Sequence, residues 1–269
     1  MAKKVKITRK QIKQDDAFLA TMKEVTGRMV AAVSDESFYK RYKKQLIIGG
    51  VAVVVVLAVV GGVFGNKALQ EKGAGKLMAQ ADAVYRAPVV TPEQYEGNPA
   101  MAQALGAYTE AKTKWSAAAE KYDAVANEYP NTSYGILGLF YAANSYYELA
   151  EYAEAISRFE KYIEKAGAGA PFAPLARQSI GYAYEEVGKL DDAARTFLSL
   201  VKEENTTTAF LAIFDLARVY EKQNKVDEAI KTLQKVNSIE INLGPQYGKL
   251  KRKAQSKIEW LQATRKKDS

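Results

Sequence analysis

The side chains with chemistry to offer here are carboxylates and amines. Among 269 residues there is no Cys and no His. Disulfides, thiol nucleophiles, His-based catalytic dyads and Cys/His zinc sites are therefore excluded. Carboxylates stand in pairs at Glu185-Glu186, Asp191-Asp192 and Glu203-Glu204. Each pair is adjacent in sequence and near a turn, which reads as solvated surface charge. Gly167-Ala168-Gly169 lacks the Lys and Ser partners of a phosphate-cradling loop. The pattern points away from an enzyme and from any cofactor or metal, and toward binding of other proteins.

The placement of charge narrows the partners. The net charge is +8, and it is divided: residues 1–45 carry +7, residues 67–248 carry −5, and residues 249–269 carry +6. A nucleic-acid binder lines its cations along one folded face. A basic tail, an acidic body and a basic tail do not, so nucleic acid is not expected as a partner.

Between the first tail and the body lie nineteen residues, Leu46 to Phe64, with no charge and no strongly polar group. As a helix they cover about 28 Å, the thickness of a bilayer core. A lone segment in lipid must satisfy its own backbone hydrogen bonds, which only a helix does. A cleaved signal has a short charged leader and a small-x-small site. Here 45 residues precede the run, and Gly62-Val63-Phe64-Gly65 lacks the usual Ala pair. Residues 46–65 are expected to be an uncleaved transmembrane helix, and with no Cys there is no lipidated anchor. Arg28, Lys40, Arg41, Lys43 and Lys44 precede the run, against Lys67, Lys72 and Lys76 after it. That bias, with the rest of the tail, puts the N-terminus in the cytoplasm and residues 66–269 across the membrane. Gly61 and Gly65 either permit close helix contact or reflect the frequency of Gly in membrane helices.

Within the basic tail (1–45), Asp15-Asp16 stands where an N-cap would, and Phe18, Met22, Val25 and Met29, widened by Leu19 and Val33, follow helical spacing. This amphipathic helix either contacts anionic lipid or a partner, or only sets topology. After the anchor, residues 66–98 read as a helical spacer followed by a linker broken by Pro88, Pro92, Gly97 and Pro99.

The body then repeats. An Ala with a large apolar residue three before and four after recurs as Trp115/Ala118/Tyr122, Tyr152/Ala155/Phe159, Leu190/Ala193/Phe197 and Val226/Ala229/Leu233, at steps of 37, 38 and 36. Nine before each leading position stands Gly106, Ala143, Gly181 or Ala217, and six before the last three stands Tyr146, Tyr184 or Tyr220. Each unit is expected to be two amphipathic helices, with small residues where they approach and aromatics between neighbouring pairs. Val187-Gly188-Lys189 and Gln223-Asn224-Lys225 serve as turns, followed by acidic helix starts at Asp191-Asp192 and Asp227-Glu228. The first unit has no Gly turn before Trp115 and reads as one continuous helix. Residues 99–246 hold the repeats. Residues 247–269 form a basic capping helix whose stripe Leu250, Ala254, Ile258 and Leu261 covers the last apolar face.

This pattern, with Leu105-Gly106, Tyr146, Ala155, Phe159 and Pro130 in the expected roles, resembles the tetratricopeptide repeat. The resemblance implies a helical-hairpin solenoid, so with the N-terminal transmembrane helix and the C-terminal capping helix read above the chain is expected to be all-α. It also implies a protein-binding groove lined by the first helix of each pair. Its positions are Phe140, Asn144 and Tyr147, then Gln178, Tyr182 and Glu185, then Phe214, Arg218 and Glu221. Four aromatics with scattered polar groups suit an apolar or extended polypeptide. Only Arg218 is cationic, against the several Lys or Arg of the family's carboxylate-clamping version. The order of basic tail, anchor, spacer and repeats is similar to single-pass envelope proteins with a periplasmic repeat domain, among them the ancillary subunit of the bacterial Sec translocon. That resemblance implies an inner-membrane protein with its C-terminal domain in the periplasm, handling exported polypeptides in a chaperone-like way near the translocon. The alternative it implies is a structural scaffold subunit of an envelope or cell-division complex, with the groove filled by a fixed partner.

Overall fold

The computed structural model describes residues 20–21, 23–28, 30, 36–91, 100, 106–202, 207–238 and 245–268. Most of the expected amphipathic tail helix, including Phe18, Met22, Met29 and Val33, lies outside these residues, as do Leu105 and Glu203-Glu204. Among the described residues the fold is all-α. The helices are α1 (Glu36–Arg86), α2 (Ala111–Glu128), α3 (Ser133–Glu148), α4 (Tyr152–Ala166), α5 (Ala173–Glu186), α6 (Leu190–Val201), α7 (Thr207–Lys222), α8 (Val226–Gln234) and α9 (Pro245–Asp268). No strand forms among the described residues, and one isolated bridge joins Val89 to Tyr108.

The chain divides into two units at Asn66/Lys67. In the first, Leu46–Phe64 is wholly helical within α1 and its side chains from Ile47 onward are exposed, with Ile48 at 68% and Phe64 at 69%. Among the described residues, α1 is the one helix long and apolar enough to cross a membrane by length and composition.

The second unit is a stack of helix pairs in chain order, α3 on α4, α5 on α6 and α7 on α8, closed by α9 against α8. The recurrent positions form its core. Ala118, Ala155, Ala193 and Ala229 are fully buried, as are Tyr122, Phe159 and Phe197, with Leu233 at 2%. The leading residues Trp115, Leu190 and Val226 pack partly buried against the same cores. The stripe on α9 is buried at Ala254, Ile258 and Leu261, with Leu250 packed alongside, as a cap requires.

The turns repeat as closely as the cores. After α3, α5 and α7 the chain reverses through Ala150, Gly188 and Asn224, all left-handed, at φ 59°, 74° and 57°. In each turn the next amide donates back to the residue five before it: Glu151 to Tyr146, Lys189 to Tyr184, Lys225 to Tyr220. Gly and Asn suit that conformation and Ala does not. Ala150→Gly is therefore expected to raise stability by up to about 1 kcal/mol, the relieved strain exceeding the added freedom of the unfolded chain. A rightward shift of the urea midpoint reads this out, and a leftward shift contradicts it.

The first unit of the repeat array differs from its expectation. Gly106 is not in a helix; it sits in a turn at φ 68°. α2 begins at Ala111, so residues 106–128 are not one continuous helix. The second part of α1, read above as a spacer, meets α2 through its side chains. Ala74, Met78 and Ala81 are buried, and Met78 and Ala81 share a core with Ala118, Tyr122, Val125 and Ala142. Tyr85 packs edge-on to Trp115, Tyr122 and Tyr141 at 5.3, 5.8 and 5.6 Å. Glu71 accepts hydrogen bonds from the Ser133 amide (2.8 Å) and hydroxyl (3.1 Å) at the start of α3. Residues between Glu71 and Tyr85, read above as spacer, therefore pack with the repeats. In the chain, residues 87–110 separate α1 from α2, which hid this packing.

Candidate functional site

The first helices of the pairs, α3, α5 and α7, carry the nine residues of the expected groove, and each helix presents them at i, i+4 and i+7. On α3 this surface is mostly aromatic. Phe140 departs from its expected role. It is 4% exposed, stacked on Phe172 at 5.2 Å and edge-on to Phe159 at 5.7 Å. The loop between α4 and α5 folds Phe172 over it, so Phe140 belongs to the core. Asn144 is half-buried and donates through Nδ2 to the Phe140 carbonyl (2.8 Å). Tyr147 is half-buried and edge-on to Tyr152 at 5.3 Å. Burial, then the nearby Glu186 and Tyr152, raises its phenol pKa.

Between α5 and α7 the expected residues are joined by hydrogen bonds. Gln178 Nε2 donates to Asp215 Oδ2 (2.8 Å), and the Tyr182 hydroxyl donates to the same oxygen (2.9 Å). Arg218 donates Nε and Nη2 to the two Glu185 oxygens (2.9 and 2.7 Å) and Nη1 to Asp215 Oδ1 (3.0 Å). Lys222 Nζ lies 2.8 Å from Glu185 Oε1. Glu185 is 8% exposed. The reading of Glu185-Glu186 as a solvated pair thus fails for Glu185, because its helix face meets α7 and not water. Glu186 is exposed. Asp191 is exposed beside Gln223 and Lys225.

Electrostatics follows from this bonding. Burial alone would raise the Glu185 pKa, but hydrogen bonds from Arg218 and Lys222 overcome it and hold the carboxyl below its usual value. Hydrogen bonding to Glu185 raises the Arg218 pKa against the opposing effect of burial. Burial, then Asp215, raises the Tyr182 phenol. Because the folded-state pKa of Glu185 is depressed, its contribution to stability is present above the ordinary carboxylate pKa. It is lost as pH falls through the depressed value. Glu185→Gln is expected to cost about 1–2 kcal/mol at neutral pH. This is less than for a fully buried pair because Arg218 and Lys222 reach water. It should also flatten the loss of thermal stability on the acid side of pH 4.5. Parallel acid limbs for the two proteins would contradict the assignment.

The last three expected residues have neighbours that the sequence reading did not reach. Phe214, Arg218 and Glu221 of α7 are faced by Lys253, Lys257 and Trp260 of α9, at the same i, i+4, i+7 spacing. Together they enclose an open cavity of about 560 Å³ floored by Ala217 and Leu233. Glu221 is paired with Lys257 (2.8 Å), whose ammonium also lies 4.3 Å from the Trp260 ring. Continuing the groove spacing one period into the capping helix would have found these three residues. Asp215 and Lys222 carried no comparable signal, since their place depends on how α5 meets α7.

The tetratricopeptide repeat family model matches residues 140–209 and 179–237. A TPR repeat-containing protein of Methanocaldococcus jannaschii is 32% identical over 96 residues, 34% of this chain. The chain spans 29% of that relative's length. Two crystal structures of TPR-like repeats from a Podosopora anserina putative kinesin light chain, one of them a point variant, superpose with TM-scores of 0.44 at 14% identity. They cover 73% and 72% of this chain and 98% of theirs. The family-model match places repeats of the tetratricopeptide kind, a protein–protein interaction module, within residues 140–237.

Proposed function

We propose that this protein is a membrane-tethered interaction module of the bacterial envelope. Its basic leader lies in the cytoplasm, its apolar helix spans the inner membrane, and its repeats work in the periplasm. There they hold exported polypeptides near the Sec translocon in a chaperone-like way. The observation that carries this reading is a helix of exposed apolar side chains, preceded by cations and followed in the chain by a solenoid with an aromatic and polar groove. The binding residues are Asn144, Tyr147, Gln178, Tyr182, Glu185, Phe214, Arg218 and Glu221, with Phe140 shaping the wall from behind. Half-buried aromatics give contact area at low entropic cost, and the polar groups between them orient a main chain.

A fixed-partner scaffold is the second reading. The mutual pairing of Glu185, Asp215 and Arg218 favours it, because that part of the surface is already ordered. A photo-crosslinker at Phe214 in intact cells tests both, with exposed Glu160 on α4 as control. Many newly exported chains captured from Phe214 and few from Glu160 support the first reading. A single stoichiometric partner supports the second. Self-contacts alone, or equal capture from both positions, would remove the groove from the account.

A further inference from the structure

We infer that the cavity between α7 and α9 takes an internal polypeptide segment in which a bulky apolar side chain neighbours an acidic one. This inference rests on the groove being a polypeptide-binding surface and names what its last section selects. The floor, Ala217 and Leu233, is apolar, and its two walls end in aromatic rings, Phe214 half-buried and Trp260 54% exposed. A volume of about 560 Å³ exceeds one side chain and accommodates a ring with the main chain beside it.

Charge selects the neighbour. Three cations and one carboxylate line the cavity. Arg218 is occupied by Glu185 and Asp215, and Lys257 by Glu221. Lys253 is exposed on the rim with no acidic partner among the described residues. It stands on the segment of net charge +6, so the field at the rim is positive. A carboxylate placed there meets an unneutralised ammonium while the adjacent apolar group displaces water from Trp260. A neutral apolar segment gains only the second contact, and a basic one is repelled.

The test uses the full-length protein in nanodiscs, with Trp115→Phe leaving Trp260 as the only tryptophan. The probes are two short acetylated and amidated peptides, one alternating Asp and Phe, the other Asn and Phe. Blocked ends prevent a terminal carboxylate from imitating the side chain. The Asp/Phe peptide should shift Trp260 emission to the blue and bind about fivefold more tightly than the Asn/Phe peptide. That preference should shrink with salt and vanish in Lys253→Glu, a change at an exposed position that leaves the fold intact. Trp260→Ala should weaken anisotropy-detected binding about tenfold or more. Equal binding of the two peptides, a preference that survives Lys253→Glu, or displacement by phosphatidylglycerol vesicles would overturn the inference. A crosslinker at Tyr147, two repeats away, separates the failures. Capture of either peptide there with an insensitive Lys253 sinks the cavity alone; no capture at Tyr147 and no shift at Trp260 sinks the groove as well.

Discussion

Phe197→Ala is expected to destabilise the repeat domain by about 3–5 kcal/mol, the range for removing a fully enclosed ring. Phe197 is 0% exposed and its ring lies 5.3 Å from that of Tyr182. It occupies the recurrent position shared with Tyr122, Phe159 and Leu233, where one helix of a pair meets the other. The approach is close because residue 181 is Gly: a Cβ there would stand 2.6 Å from the Phe197 ring. Domains of this kind hold about 5–15 kcal/mol in total, so the loss is a large fraction of it. The geometry also fixes a sign reversal. Gly181→Ala alone should destabilise, because the methyl meets the ring. In the Phe197→Ala background it should stabilise by up to about 1 kcal/mol, as the methyl enters the vacated space and improves helix propensity. A urea double-mutant cycle measures both. Additive effects, or a loss below about 1 kcal/mol for Phe197→Ala, would contradict this packing.

The second large effect concerns the apolar helix. Its thirteen Leu, Ile, Val and Phe residues between Leu46 and Phe64 favour insertion by roughly 4–8 kcal/mol together, whereas each central Arg opposes it by about 2.5–3.5 kcal/mol. One Arg is therefore tolerated, and two offset the whole preference. Val54→Arg with Leu57→Arg should move the protein from the membrane pellet to the supernatant after alkaline extraction, while either single variant stays largely in the pellet. Wild-type protein in the supernatant would remove the anchor from the account.

What the sequence made legible was whatever repeats. The buried Ala of each pair, the large apolar residue four on, and the turns at Gly188 and Asn224 all recur in phase, because every pair solves the same packing problem. Where a unit solves it differently, the reading failed. Met78 and Ala81 pack with α2 but lie far before it in the chain and just after the apolar run, so they looked like spacer. Ala150 fills a left-handed turn without the residue type that announces one. Phe140 was placed in the groove because groove and core positions on one helix are a single residue step apart, and only the fold of the loop carrying Phe172 decides between them. Glu185 looked solvated because a carboxylate's partners from another helix leave no local trace. Lys253, Lys257 and Trp260, which face the last three expected residues, were legible and overlooked, because a capping stripe accounts for only one face of that helix.

The account turns on one arrangement: a retained apolar helix with the repeats beyond the membrane. A reporter enzyme active only outside the cytoplasm, fused after Ser269, tests it directly in intact cells. The account predicts an active reporter that stays with the membrane fraction. A silent reporter, with the same fusion active when moved to the N-terminus, would reverse the topology and remove the repeats from the path of exported chains.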